Sequence, residues 1–129
     1  MSKPINFTPS DAELEILQVL WQVQPATVKT VHEQLESIKE VGYTTILKQM
    51  QRMLDKGLVK RRKSGKTHFY VAIPGKEDIQ ETLTSKLVNK AFSGSAMKMV
   101  MHALGQSKTT PEELEALQQW LNQQNNENQ

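Results

Sequence analysis

The sequence predicts a mainly α-helical protein with one small β-hairpin, and three observations lead to this prediction. Apolar residues recur at helical spacing in six stretches of the 129-residue chain. Two short strand-like runs lie on either side of a Ser-Gly turn at Ser64-Gly65. Pro74-Gly75 then separates the hairpin from the last three helical stretches.

The first two helices are predicted from their caps and their apolar stripes. The first should begin at Thr8-Pro9-Ser10-Asp11, with Thr8 as the cap and Pro9 at the first helical position. Thr27 can cap a second helix that continues through about Ser37. The residues expected to face the core are Leu14, Ile16, Leu17, Leu20 and Trp21 in the first helix, and Val28, Val31 and Leu35 in the second.

A third helix and a hairpin complete the first part of the chain. The helix should start after Gly42 and stop at Lys56-Gly57, because glycine readily adopts the left-handed conformation at a helix end. Its inward face is predicted to comprise Ile46, Leu47, Met50, Met53 and Leu54. Strand-like runs at 58–63 and 66–73 follow. Three helices and then a cationic hairpin form the pattern of a winged helix-turn-helix.

The chain is predicted to contain two functional parts and a tail. Residues 1–74 are expected to form a winged-helix DNA-binding domain, 75–124 a helical dimerisation region and 125–129 a disordered tail. Three amphipathic helices in about 50 residues make a thin core, so pairing with a second copy would bury more apolar surface. The residues assigned to this homodimer contact are Ile79, Leu83, Leu87, Phe92, Val100, Leu104, Leu114, Leu117 and Leu121.

Charge is concentrated in the middle of a chain whose net charge is only +2. Between residues 48 and 66, Asp55 is the single acid among eight basic residues, which indicates a local site for a polyanion. Threonine and glutamine can bond base edges, whereas lysine and arginine can reach phosphates. The predicted base contacts are Thr44, Thr45, Lys48 and Gln49, and the predicted backbone and wing contacts are Arg52, Arg61, Arg62, Lys63, Lys66 and Thr67.

Other interpretations of these residues are weaker. The third helix alone is more typical of a solvated surface. The basic hairpin is less typical of a charged edge strand that discourages aggregation, and the two together favour nucleic-acid binding. A winged-helix module that binds a protein instead of DNA remains the alternative function. The sequence "HEQLE" at His32–Glu36 lacks the second histidine of a zinc protease motif, and "SGKT" at Ser64–Thr67 lacks the glycine and the helix of a phosphate loop. We therefore predict no enzyme activity, no cofactor and no metal site.

The cellular location is predicted from what the sequence lacks. It contains no cysteine, no signal-peptide apolar segment and no apolar run near the roughly 20 residues needed to cross a bilayer. We expect a cytoplasmic protein without direct membrane insertion.

Four motifs together resemble the penicillinase-repressor family, also called the BlaI/MecI/CopY type. They are "TPSDAELEILQVLW", "YTTILKQMQRMLDKGLV", "RRKSGKTHFYVAI" and "AFSGSAMKMVMHAL", and the resemblance spans roughly residues 8–122. It implies a homodimeric repressor whose winged-helix heads each read half of a palindromic operator in double-stranded DNA. It also implies a membrane sensor metalloprotease of the BlaR type as a further partner.

The chain departs from the family pattern at several positions. The family's base-reading threonine matches Thr45, with Thr44 beside it, whereas the next family threonine is Lys48 here. Val41 replaces a tryptophan, and Gly42-Tyr43 replaces a serine–proline start. The Asn-Phe bond that is cleaved in antibiotic-resistance repressors of this family matches His102-Ala103, and the absence of cysteine excludes thiolate copper sensing.

Overall fold

The computed structural model describes residues 8–127, and within them the predicted fold class is confirmed. The elements in chain order are α1 (Asp11–Val23), α2 (Val28–Glu36), α3 (Tyr43–Lys56), β1 (Val59–Ser64), β2 (Thr67–Ala72), α4 (Lys76–Ala91), α5 (Ala96–Gln106) and α6 (Pro111–Glu127). Two compact units divide between Ser85 and Lys86, within α4 and beyond the Pro74-Gly75 boundary expected from the sequence.

Helix α1 starts two residues later than the sequence suggested. The cap is Ser10, not Thr8: the Ser10 hydroxyl accepts from the amide of Glu13, and the Glu13 carboxylate accepts from the amide of Ser10. This reciprocal capping box satisfies two amides that the first turn would otherwise leave without partners. Helix α1 then buries Ile16, Leu17 and Leu20 in the core.

The ends of α2 and α3 follow the sequence prediction. Thr27 caps α2 by accepting from the amide of Thr30. Helix α3 begins directly after Gly42, which offers no side-chain cap. It ends at Gly57, whose φ of +79° lies in the left-handed region, and the Gly57 amide donates to carbonyls of the last turn.

Strands β1 and β2 form an antiparallel hairpin whose register pairs Val59 with Ala72 and Ser64 with Thr67. The base of the hairpin is fixed to the helices because Ala26 and Tyr70 exchange backbone hydrogen bonds of 3.0 and 2.8 Å. Tyr70 is buried in one core with residues of α1, α2 and α3. The hairpin is therefore attached to the helical core through Tyr70, while residues 61–67 around its tip are exposed.

The second unit contains little buried surface of its own. Among residues 86–127 no residue is buried, and several large apolar ones, including Met97, Met101 and Trp120, are exposed. Helix α6 runs to Glu127, so residues 125–127 of the predicted disordered tail are helical, and residues 128–129 lie outside the described part. None of the helices found in residues 8–127 combines the length and the apolar character that a membrane span needs.

Candidate nucleic-acid interface

Helix α3 presents its polar residues on the side opposite the core. Ile46, Met50 and Met53 are buried, so the positions between them point outward because a helix turns every 3.6 residues. Thr44, Thr45, Lys48 and Arg52 are exposed and Gln49 is half-buried. The structure thus brings together, on one helix, all four side chains predicted to contact bases and the first predicted backbone contact.

The wing is the hairpin β1–β2, and strand alternation divides its cations between two faces. Arg61 pairs with Tyr70 across the hairpin and shares its face, and its guanidinium donates to the Tyr70 hydroxyl at 3.1 Å. Lys63 follows two residues later on the same face. Lys60 and Arg62 lie on the other face, opposite Val71 and Phe69.

A groove of about 600 Å³ lies between the wing, one flank of α3 and the start of α2. Helix α3 contributes Tyr43, Leu47 and Gln51 to its lining, and the wing contributes Arg61, Lys66, Thr67 and His68. Lys29 lines it from the first turn of α2. Arg61 also borders the smaller hollow on the other wing face, where Lys60 and Arg62 lie beside Pro25.

Several residues that line this groove were not assigned to the interface by sequence analysis, among them Lys29, Tyr43 and Gln51. Residues 43, 47 and 51 are spaced four apart, which places them on one side of a helix, and this signal was visible in the sequence. Lys29 is visible only after folding, because its position beside α3 depends on how α2 packs.

Within the part of the chain that the structure describes, the predicted contact cations have no acidic partner. Among residues 8–127, the ion pairs of lysine and arginine with carboxylates are Lys39 with Glu15 and Lys56 with Glu13. Lys48, Arg52, Arg61, Arg62, Lys63 and Lys66 take part in neither pair and are exposed. Their charge is therefore available to an external polyanion.

Lys56 differs from the other cations of the basic region because it has a structural partner. Its ammonium lies 2.8 Å from the carboxylate of Glu13, a side chain that is only 2% exposed. Burial raises the pKa of Glu13, but the hydrogen bonds and charge of Lys56 and the bonds from Ser10 outweigh burial and bring the pKa below 4.5. This contact fixes the end of α3 to the start of α1.

The "HEQLE" segment forms a local contact in the turn before α3. His32 Nε2 lies 2.8 Å from the Glu36 carboxylate and 2.8 Å from the carbonyl oxygen of Val41. Both neighbours are acceptors, so Nε2 carries the hydrogen and donates to them. The His32 ring also meets the ring of Tyr43 edge to face, with centroids 5.8 Å apart. The histidine thereby ties α2 to the first residue of α3.

Comparisons of the sequence with known proteins agree on one family. The sequence model of the family described as "Penicillinase repressor" matches residues 9–123. The methicillin resistance regulatory protein MecI of Staphylococcus aureus (strain N315) is 25% identical over 113 residues, which are 88% of this chain and 92% of MecI. The transcriptional regulator BlaI of Mycobacterium tuberculosis (strain CDC 1551 / Oshkosh) is 30% identical over 94 residues, 71% of this chain and 68% of BlaI.

A solved structure supports the same fold for the first part of the chain. The solution structure of the DNA binding domain of the repressor BlaI is 27% identical, with a TM-score of 0.50. The match covers 60% of this chain and 93% of that domain.

Proposed function

Because this chain belongs to the penicillinase repressor family, we propose that it is a transcriptional repressor that binds a palindromic promoter operator as a homodimer. Each winged-helix head would place α3 in the major groove of one half-site. The bound dimer would cover promoter DNA in the cytoplasm and exclude RNA polymerase. In this proposal the chain catalyses no reaction and holds no cofactor.

The observation that carries the proposal is the uncompensated cationic surface formed by α3 and the wing. Seven exposed lysine and arginine side chains of these two elements have no carboxylate partner within residues 8–127, and Asp55 is the single acid between residues 41 and 72. Each phosphate neutralised by such a cation releases counterions, and this release supplies much of the affinity for DNA. A charged surface that merely prevents aggregation would not need a polar helix face beside it.

Sequence recognition is assigned to the outer side of α3. The proposed base contacts are Thr44, Thr45, Lys48 and Gln49, because the N-terminal residues of a recognition helix meet base edges. Threonine can contact the methyl group of thymine, glutamine can bond adenine, and lysine can bond guanine. Arg52 and the wing cations would bind phosphates and set the position of α3 in the major groove of the DNA.

Dimerisation is proposed from the second unit. A unit that buries no side chain completely has too small a core to be stable alone, and pairing with a second copy would supply the missing burial. Leu87, Leu114 and Leu121 are 48%, 48% and 40% exposed in the single chain, so they offer apolar surface to a partner. Ile79 is 1% exposed and offers none, so the proposed interface excludes it.

Release from DNA is proposed to involve a membrane sensor metalloprotease of the BlaR type, and family membership supports this. The His102-Ala103 bond lies within α5, and the His102 ring contacts the ring of Phe92 at 5.8 Å. A gene for a membrane metalloprotease beside the gene for this chain would support such a partner, and a conserved neighbourhood without one would argue against it.

Gel-shift titration with the DNA upstream of the chain's own gene tests the proposal. We expect tight binding at moderate salt, and we expect the double variant Thr45→Ala, Lys48→Ala to lose preference for that DNA over an unrelated duplex. The variant Lys108→Ala, which removes one exposed charge from the second unit, is the matched control. Equal binding of all duplexes by the wild type, or no binding, would favour the protein-interaction alternative.

A further inference from the structure

Tyr43 is an aromatic residue in an unusual position, because it is the first residue of α3 and 47% exposed. It lines the groove between α3 and the wing, and Lys29 and Lys66 line the same groove. Neither lysine forms an ion pair with a carboxylate among residues 8–127. The ammonium groups of Lys29 and Lys66 and the phenol of Tyr43 therefore line the same groove.

The hydroxyl of Tyr43 has no partner in residues 8–127. The other tyrosine of the chain differs, because the Tyr70 hydroxyl accepts a hydrogen bond of 3.1 Å from the Arg61 guanidinium. An exposed phenol can donate to an oxygen of an external ligand, and tyrosine is among the side chains that commonly bond the phosphates of DNA.

His32 restricts where the Tyr43 ring can lie. The two rings meet at an interplanar angle of 85°, the edge-to-face arrangement that aromatic pairs favour. His32 is itself held at Nε2 by the carbonyl of Val41 and the carboxylate of Glu36, each at 2.8 Å. Its side chain is 17% exposed, so these bonds are partly shielded from water. A surface tyrosine without such a support would sample several rotamers and lose more entropy on binding.

We propose that Tyr43 donates a hydrogen bond from its hydroxyl to a phosphate of the bound DNA, and that His32 is the positioning residue that orients the ring. This inference rests on the proposed function, since it names a backbone contact of the same interface. Lys29 and Lys66 would contribute charge to the same DNA strand, while the outer side of α3 reads bases. The Tyr43 contact would position the start of α3 in the major groove of the DNA without adding sequence preference.

The variant Tyr43→Phe tests the hydroxyl while keeping the ring. We expect about a tenfold loss of affinity, the usual effect of removing a hydrogen bond to a charged group. The loss should be equal on the upstream DNA and on an unrelated duplex, because phosphates are the same in both. The dependence of binding on salt should not change, since the hydroxyl is neutral, whereas Lys66→Ala should lower the salt slope by about 1 for each head.

The role of His32 is tested by a double-variant cycle. His32→Ala should weaken binding in the wild-type background and have little further effect in the Tyr43→Phe background, because its contribution acts through the hydroxyl. His32→Gln keeps an N–H donor for Val41 and should restore part of the affinity. Circular dichroism melts of each variant show whether the fold is retained at the binding temperature.

Three outcomes would overturn the inference. The phosphate contact is refuted if Tyr43→Phe binds as tightly as the wild type, or if it loses affinity only for the upstream DNA. Equal losses from His32→Ala in both backgrounds would refute the positioning role. Failure of the wild type to bind DNA would instead refute the proposed function itself, so the two failures are distinguishable.

Discussion

The two faces of the wing should contribute unequally to DNA binding. Removing the charges of strand β1 from one face at a time tests this directly. Arg61 lines the groove beside α3 and Lys63 shares its face, while Lys60 and Arg62 point to the opposite side. The double variants Arg61→Gln, Lys63→Gln and Lys60→Gln, Arg62→Gln remove the same charge from the same strand. The charge is lost from a different face of the wing in each variant.

The expected size of the effect follows from counterion release. Each cation that contacts a phosphate adds about 0.9 to the slope of log K against log salt, so two cations in each of two heads add about 3 to 4. Between about 50 mM and 200 mM salt, such a difference in slope corresponds to a change of about 100-fold in relative affinity. We expect the variant of the groove face to lose this part of the slope. The other variant should lose about half as much, because Arg62 is a proposed phosphate contact and Lys60 is not.

Fluorescence anisotropy with a labelled duplex at four or five salt concentrations measures both slopes. Arg61→Gln also removes the hydrogen bond to Tyr70, whose side chain is 1% exposed, so a stability loss of about 1 kcal/mol is expected and must be measured by thermal unfolding. If the Lys60 and Arg62 variant lowered the salt slope as much as the groove-face variant, the proposal that DNA phosphates lie along the groove between α3 and the wing would be refuted.

Four further predictions concern stability and assembly. The pKa of Glu13 is lowered in the folded state, so its contact with Lys56 stabilises the fold fully above the unfolded-state pKa and is lost as pH falls through the folded-state pKa. The free energy of unfolding, measured as a function of pH, should therefore fall below pH 4.5. The variant Glu13→Gln should not show this fall. Lys56→Met leaves the buried carboxylate without its cation and should cost about 1 to 3 kcal/mol at pH 7, and an unchanged melting temperature would contradict this. Gly57→Ala should cost about 1 kcal/mol through backbone strain alone, since no atom lies within 4 Å of the added Cβ, and equal stability in urea denaturation would contradict it. Leu114→Glu with Leu121→Glu changes two side chains of the proposed interface that are 48% and 40% exposed. Sedimentation should then show a folded monomer in place of the proposed dimer, and an unchanged sedimentation coefficient would exclude both from the interface.

Local signals in the sequence were sufficient for most element boundaries. Thr27 and Gly57 act as predicted because a cap hydroxyl and a left-handed glycine depend only on their immediate neighbours. The start of α1 was placed wrongly at Thr8 because both Thr8 and Ser10 precede the helix and Pro9 favours a first helical position. The capping-box spacing of Ser10 and Glu13 was present in the sequence and identifies the correct cap.

The parts of the interface that could not be predicted depend on contacts between distant segments. Lys56 belongs to the basic region in sequence but binds Glu13, 43 residues away, and so its charge is partly neutralised. Alternation along β1 predicts two faces, but the face that meets α3 is set by the bonds between Ala26 and Tyr70. Tyr43 looks like a helix start in the sequence, and its support by His32 appears only when α2 packs beside it.

Selection of duplexes from a randomised DNA pool by the 129-residue chain is the most direct test of an operator-binding dimer. The proposed arrangement of two heads predicts enrichment of an inverted repeat whose half-sites are separated by about one helical turn, 10 base pairs, or a multiple of it. Recovery of unrelated sequences, or of single half-sites without a fixed partner, would contradict it.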